Sequence, residues 1–277
     1  MAIITISRGT FGGGEKLAEC LSRRLGYRSI SREVLVTAGK MFEASEADLI
    51  RALEEKTTLK ERLLSRMRER LRHLAFIRSA LCEEAKKDNL IYRGYAANLF
   101  LKGVSHVLTV KVIASMEQRI SFFREHNDVS EKEAMSSIAA VDEQRKEWTE
   151  LLYNADWNDP SLYAIVINLE QVTVTSACET IASLVSTPQF KTTQASQKAM
   201  DDLAITSRVT ATLAYDVTTE GYDVDVETDN GVVTVSGRVR NEDDIETIER
   251  AIRKLPDVRD VKNACTLYTP ISLPRPY

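Results

Sequence analysis

The chain has 277 residues, is 43% hydrophobic and 28% charged, and carries a formal charge of −4 at pH 7. That length admits two modest domains or one large one, and the charge excludes a global basic field of the kind that drives non-specific nucleic-acid binding. Cys20, Cys82, Cys178 and Cys265 form no CxxC pair and His73, His106 and His126 show no ligand spacing, so a zinc site is not expected and the thiols are expected reduced and mostly buried.

The first residues, MAIITISRG, lack the basic start of a signal peptide. No run reaches the ~20 apolar residues of a membrane span. The expectation is a cytoplasmic protein without a membrane span.

In chain order, residues 2–6 (AIITI) are β-branched and apolar on both faces, as in a central parallel strand. Residues 14–25 place Leu17, Ala18, Cys20, Leu21 and Leu25 on one helix face, and Gly26 ends it. Residues 46–88, without Pro or Gly, predict one or two long helices. Strands are predicted at 89–93, 106–114 and 163–168, with helices at 116–125, 130–154 and 173–186. Alternating strands and helices predict an α/β fold with a mostly parallel sheet.

At about residue 187 the texture becomes polar and aperiodic, and residues 188–200 are expected to be a linker. A compact αββαβ unit follows: a helix over 201–214, strands over 222–228 and 232–239, a helix over 242–254 and a strand over 258–268. Asp229-Asn230-Gly231 has the composition of a tight hairpin turn.

The stretch RGTFGGGEK (residues 8–16) joins the first strand to the first helix. Such glycine turns let backbone N–H groups converge on phosphate oxygens, helped by the positive end of the helix dipole. Gly9 and Gly14 satisfy G-x-x-x-x-G, but Glu15-Lys16 stands where Lys-Ser/Thr is required. Moving the lysine by one position turns it by about 100° around the helix. Lys16 either swings back into the site or covers the helix surface.

Taken in order, residues 2–185 resemble the cytidylate kinase-like family of P-loop proteins. The resemblance rests on ITISR (4–8), Gly12-Gly13-Gly14, Leu25-Gly26, SREVL (31–35), LIYRGYAANLFL (90–101), KVIASMEQRISFFRE (111–125) and VDEQRKEW to VINLE (141–170). It implies a parallel sheet flanked by helices, with ATP and Mg²⁺ as cofactors and CMP or dCMP as acceptor. Gly12, Gly13 and Gly14, with Lys16, would hold the ATP phosphates, and Arg93 the acceptor phosphate. Arg119, Arg124 and Arg145 would be lid arginines clamping the transferred group, with Asp142 orienting Arg145 from one helical turn away. Several positions depart from the family pattern: Phe11 replaces a loop glycine, Ser31 an acid, Tyr92 a glycine and Ala164 an aspartate. Glu15 adds a negative charge beside the triphosphate position.

An arginine-rich stretch from 58 to 78 includes Arg62, Arg66, Arg68, Arg70, Arg72 and Arg78, interleaved with leucines. It reads as a solvated face, as closure over the acceptor, or as a homo-oligomer contact.

Residues 201–270 resemble the BON family through Asp201-Asp202, VDVETDNGVVTVSGRVRNEDD and IERAIRKLPDVRDVKNACTL. The resemblance implies a small binding module for a partner protein, a small ligand or a phospholipid surface. The acidic run Glu242, Asp243, Asp244, Glu246 and Glu249 argues against anionic lipid. Gly231 and Gly237 are explained either by turn geometry and close packing or by ligand contact. The whole chain thus reads as a domain over 1–187, a linker over 188–200 and a BON domain over 201–270. The alternatives are a phosphoryl-transferring enzyme, a catalytically degenerate regulatory or scaffold protein, and a protein with no nucleotide site.

Overall fold

A computed structural model of the chain describes residues 1–9, 12–54, 64–94, 96–219 and 222–267. Phe11 and Arg62, singled out above, lie outside the described residues. The chain divides into two compact units, residues 1–200 and 201–277.

The first unit is built on five parallel strands: β1 (Ile3–Arg8), β2 (Arg28–Ile30), β3 (Leu90–Arg93), β4 (Val107–Ile113) and β5 (Ile165–Asn168). Their order is β2-β3-β1-β4-β5. β1 is central, with Ile3 opposite Leu90 of β3 and Val107 of β4. This is why it is apolar on both faces. Ile4 and Ile6 meet Leu17 and Leu21 of α1 (Gly14–Leu25) and Ile181 of α8 (Val174–Val185) in one core. Ile3 and Thr5, alternating to the other face, are also fully buried. α1 stops at Gly26, which is left-handed (φ +69°) and donates its N–H to the Ser22 carbonyl.

α2 (Glu33–Phe42), α3 (Glu46–Glu54) and α4 (Leu64–Ala85) follow β2. β3 leads through α5 (Ala97–Phe100) to β4, then to α6 (Met116–His126) and α7 (Glu131–Tyr153). α7 begins with a capping box. The Ser130 hydroxyl accepts the Glu133 N–H at 3.3 Å, and the Glu133 carboxylate accepts the Ser130 N–H at 2.9 Å. The three-residue edge strand β2 is absent from the sequence reading: it is too short, and its first two residues too exposed, to show a hydrophobic pattern.

Two expectations are corrected. Cys20 of α1 and Cys178 of α8 are joined as a disulfide, with Cα atoms 6.1 Å apart. The thiols were expected reduced because 158 positions separate these two in sequence, yet the helices carrying them pack side by side on one face of the sheet. Cys82 and Cys265 lie outside that disulfide and remain thiols. The segment expected as a linker is also ordered. It forms a short 3₁₀ turn (Pro188–Phe190) and then enters α9 (Gln194–Tyr215). Its polar residues are structural: Thr192 bonds the Met1 carbonyl and the Asp88 carboxylate, and Thr193 caps Ser196. Phe190, within it, is buried against the sheet core.

The second unit, from residue 201, is a three-stranded sheet in the order β6-β7-β8. β6 (Asp223–Asp229) and β7 (Val232–Val239) are antiparallel, and β8 (Asp260–Leu267) runs parallel to β7. Val233, Val235 and Val239 pack against Ile205, Val209 and Leu213 of α9 and Ile248 and Ile252 of α10 (Glu242–Arg253). The two-residue turn has Asn230 at φ +51° and Gly231 at φ +75°. Both turn amides donate to the Asp202 carboxylate, at 3.0 and 2.9 Å. Gly237 (φ +144°) runs so close to β6 that a Cβ there would strike the Asp223 carbonyl. Turn geometry and close packing therefore account for both glycines.

Candidate active site

β1 lies between β3 and β4, so the chain leaves the middle of the sheet in two directions. In open parallel sheets ligands bind beyond the C-terminal strand ends at such a point. Here a cleft of about 980 Å³ opens there. Arg8 ends β1, Arg93 ends β3, and both line it.

The glycine turn forms the floor. The Gly12 N–H donates to the Gly9 carbonyl at 3.1 Å. Gly13 precedes α1 in a left-handed conformation (φ +77°), and a Cβ there would sit 2.9 Å from the Leu169 Cδ1. No side chain caps the first turn of α1 at Gly13. Gly13 and Gly14 line the cleft, while Gly12 is buried. The turn thus presents an uncapped helix N-terminus to the cleft, the geometry of an anion cradle.

Arg8 carries no role in the sequence reading. Its side chain runs over the turn: a Cβ on Gly14 would lie 2.7 Å from the Arg8 Cδ. Its guanidinium is pushed down to about 10, chiefly by burial and then by Arg145 and Arg93, with Glu15 opposing. The signal was present. An arginine closing an apolar strand before a glycine is the same pattern that singles out Arg93.

Arg93 is held by Glu15, Nη2 to Oε1, at 3.2 Å. The Glu15 carboxylate, expected to repel a triphosphate, is therefore also a partner for Arg93. Tyr92, before it, is fully buried against Gly94, and burial raises its hydroxyl far above the ordinary range.

The three expected lid arginines are placed differently. Arg145 of α7 lines the cleft and donates from Nη1 to the Arg8 carbonyl at 3.1 Å. Arg119 of α6 is buried, and its Nη2 pairs with the Asp142 carboxylate at 2.6 Å. Its guanidinium also lies 3.0 Å from where a Cβ of Gly9 would stand, so Gly9 makes room for it. Asp142, expected to orient Arg145, thus ties α7 to α6. The i−3 spacing within one helix could not show this cross-helix partner. Arg124 donates to the Val129 carbonyl at 3.2 Å and does not line the cleft. Phe122, Glu125 and His126 of α6 do. Arg124 lies two residues past Phe122, about 200° away around the helix.

Lys16 is exposed, and its ammonium stands 5.0 Å from the centre of the Phe122 ring. That is a cation–π contact between α1 and α6.

The remaining wall is more apolar. Leu35 of α2 and Ile50 and Leu53 of α3 face the cleft beside Ser31, Arg32 and Glu33. Glu33 accepts the Ser31 N–H at 2.6 Å. On the arginine-rich helix, Arg70 donates to the Ala52 carbonyl at 2.8 Å and Arg78 to the Phe100 carbonyl at 3.4 Å. These arginines tie α4 to α3 and α5. Trp157 and Tyr163 close the far side. They are positioned by buried Lys111, whose Nζ donates to the Trp157 carbonyl (2.8 Å) and to Asn158 Oδ1 (3.0 Å). Burial lowers the Lys111 ammonium and pushes the Tyr163 hydroxyl up to about 12. Lys111 escaped the sequence reading because it interrupts an otherwise apolar strand.

Among the described residues no group of three or more His, Cys, Asp or Glu side chains could hold a metal ion. Magnesium, which keeps several waters and binds through substrate phosphates and one or two carboxylates, would have to come with a nucleotide. Also among the described residues, no helix is long and apolar enough to cross a membrane.

Comparison with known proteins bears on both units. Residues 3–171 match the model of the cytidylate kinase-like family, and residues 201–267 match the BON domain. A comparison with curated proteins found no match. Among solved structures, an uncharacterized protein from Eubacterium ventriosum is 18% identical, with a TM-score of 0.49 over 66% of this chain and 97% of that one. Shikimate kinase from Bacteroides thetaiotaomicron is 14% identical, with a TM-score of 0.42 over 67% and 99%. Deoxyadenosine kinase from M. mycoides is also 14% identical, with a TM-score of 0.37 over 66% and 98%. With its parallel sheet, glycine turn and a family match over more than half its length, the chain belongs to the cytidylate kinase-like family and carries a BON domain behind that unit.

Proposed function

We propose that the first unit binds ATP and transfers its terminal phosphoryl group to a nucleoside monophosphate, CMP or dCMP being the acceptor. One observation carries this reading: Arg8, Arg93 and Arg145 converge with the uncapped start of α1 on a single cleft. Phosphoryl transfer is mostly positioning and charge stabilisation, and a ring of fixed arginines suits it. Gly12, Gly13 and Gly14 would hold the donor phosphates. Arg93 would leave Glu15 for the acceptor phosphate, and Arg145 would brace the transferring group. Arg119 and Asp142 would position the loop and α7, while Arg124 and Lys16 would stabilise the α6 region. Magnesium, bound to the nucleotide, would supply charge neutralisation. The chain would work in the cytoplasm and pair with a second copy of itself, and its BON domain would dock a protein or small-ligand partner.

A second reading is a binder without catalysis. It is favoured by the placement of Lys16 on Phe122 and by the Glu15 carboxylate on Arg93. Incubating the full chain with Mg-ATP and each nucleoside monophosphate in turn, and following ADP release, separates the two. Acceptor-dependent ADP supports the kinase. Saturable ATP binding without ADP supports the binder.

A further inference from the structure

A phosphate loop needs a cation beside its amides, and the residue after Gly14 is Glu15. We propose that Arg8 is that cation: its guanidinium, folded back over the glycine turn from the end of β1, binds the phosphate chain of the ligand. This rests on the nucleotide-binding reading above and adds a residue to it.

Four observations lead here. The Arg8 side chain crosses directly above Gly14, the first residue of α1. A cation is unfavourable at a helix N-terminus unless an anion lies between them. Among the described residues Arg8 has no carboxylate partner: its guanidinium donates to the neighbouring Gly9 carbonyl at 3.3 Å. It instead feels the like charges of Arg145, Arg93 and Arg119, with Glu15 opposing them. Burying one guanidinium among others costs free energy that a polyanion would offset. Lys16, the only other basic residue in the turn sequence, also lines the cleft, but its ammonium is engaged over the Phe122 ring. Finally, Gln144 lines the same cleft, is more than nine-tenths buried, and among the described residues has no hydrogen-bond partner for its Nε2 donor. A buried donor left open in a cleft lined by cations points to an acceptor brought by a ligand.

The test measures binding of ATP and of inorganic triphosphate to the full chain and to the variants Arg8→Met, Arg8→Lys and Lys16→Met. Arg8→Met is expected to weaken both ligands by about tenfold or more. Lys16→Met is expected to leave them within about twofold, and Arg8→Lys to recover part of the loss because the charge is kept without the fork. The ligand-free melting temperature of Arg8→Met should not fall below that of the parent, since a half-buried cation among like charges is removed. If Arg8→Met melts lower or fails to fold, Arg8→Lys against Lys16→Met decides. Wild-type binding that Lys16→Met abolishes and neither Arg8 variant weakens would overturn the role of Arg8 and leave the nucleotide reading intact. Failure of the wild type to bind either ligand would overturn both.

Discussion

At the residue scale the site is a set of arginines whose geometry sorts them. Arg145 reaches the cleft from α7 and braces the end of β1. Its replacement by alanine should lower turnover by about 10²–10³, the size of losing one preorganised donor to transferring charge, with the melting temperature little changed. Steady-state ADP release and a thermal melt check this together. Gly13 is constrained twice, by φ +77° and by Leu169 at 2.9 Å from a would-be Cβ. Gly13→Ala should cost about 1–2 kcal/mol from the left-handed backbone alone, and it should weaken ATP by moving the cradle amides. Denaturant titration and ligand binding measure the two effects. Gly13, Gly14, Arg93 and Arg145, which line one cleft, each stand in a local pattern visible in the sequence. The sequence did not disclose that Asp142 serves Arg119, or that Glu15 meets Arg93 across 78 positions. Those are tertiary pairings, and spacing along one element says nothing about them.

At the element scale, α7 presents Val141, Gln144, Arg145 and Thr149 along one face to the cleft. The helix is set by its capping box at Ser130 and Glu133. Ser130→Ala should therefore cost about 1 kcal/mol of stability, readable as a lower urea midpoint with an unchanged slope. The long elements were legible in sequence: β1, α1, β4, α7 and α8 follow apolar periodicity closely enough to be placed within a few residues. β2 was not, because its pairing with β3 comes from the sheet and not from its own three residues. The expected linker failed for the opposite reason. Threonine and serine read as loop residues, but here they cap and tether. The small C-terminal unit was the most legible part, since its hairpin turn, its alternating strands and Asp202 all follow local rules.

At the scale of the whole molecule, buried groups set how each unit responds to its surroundings. His106 is fully buried just before β4, and among the described residues neither ring nitrogen has a hydrogen-bond partner. Burial holds its imidazole below the ordinary value; Asp88 pulls it up and the N-terminal amine pushes it down. The folded form therefore binds fewer protons than the unfolded one. Stability from this residue is full above the unfolded value near 6.5 and declines as pH falls below it. The urea midpoint should drop between about pH 7.5 and 5.5, and His106→Leu should show a smaller drop; an equal drop in both would assign the loss elsewhere. The disulfide between Cys20 and Cys178 has a different consequence. It closes a loop that holds the cleft wall from Ser31 through Arg93 and Arg145 to Tyr163. A protease that nicks the backbone anywhere inside that loop leaves both fragments covalently joined. Such a nicked molecule should run as one species on a non-reducing gel and as two only after thiol is added, so a single cut would not by itself release any wall of the site.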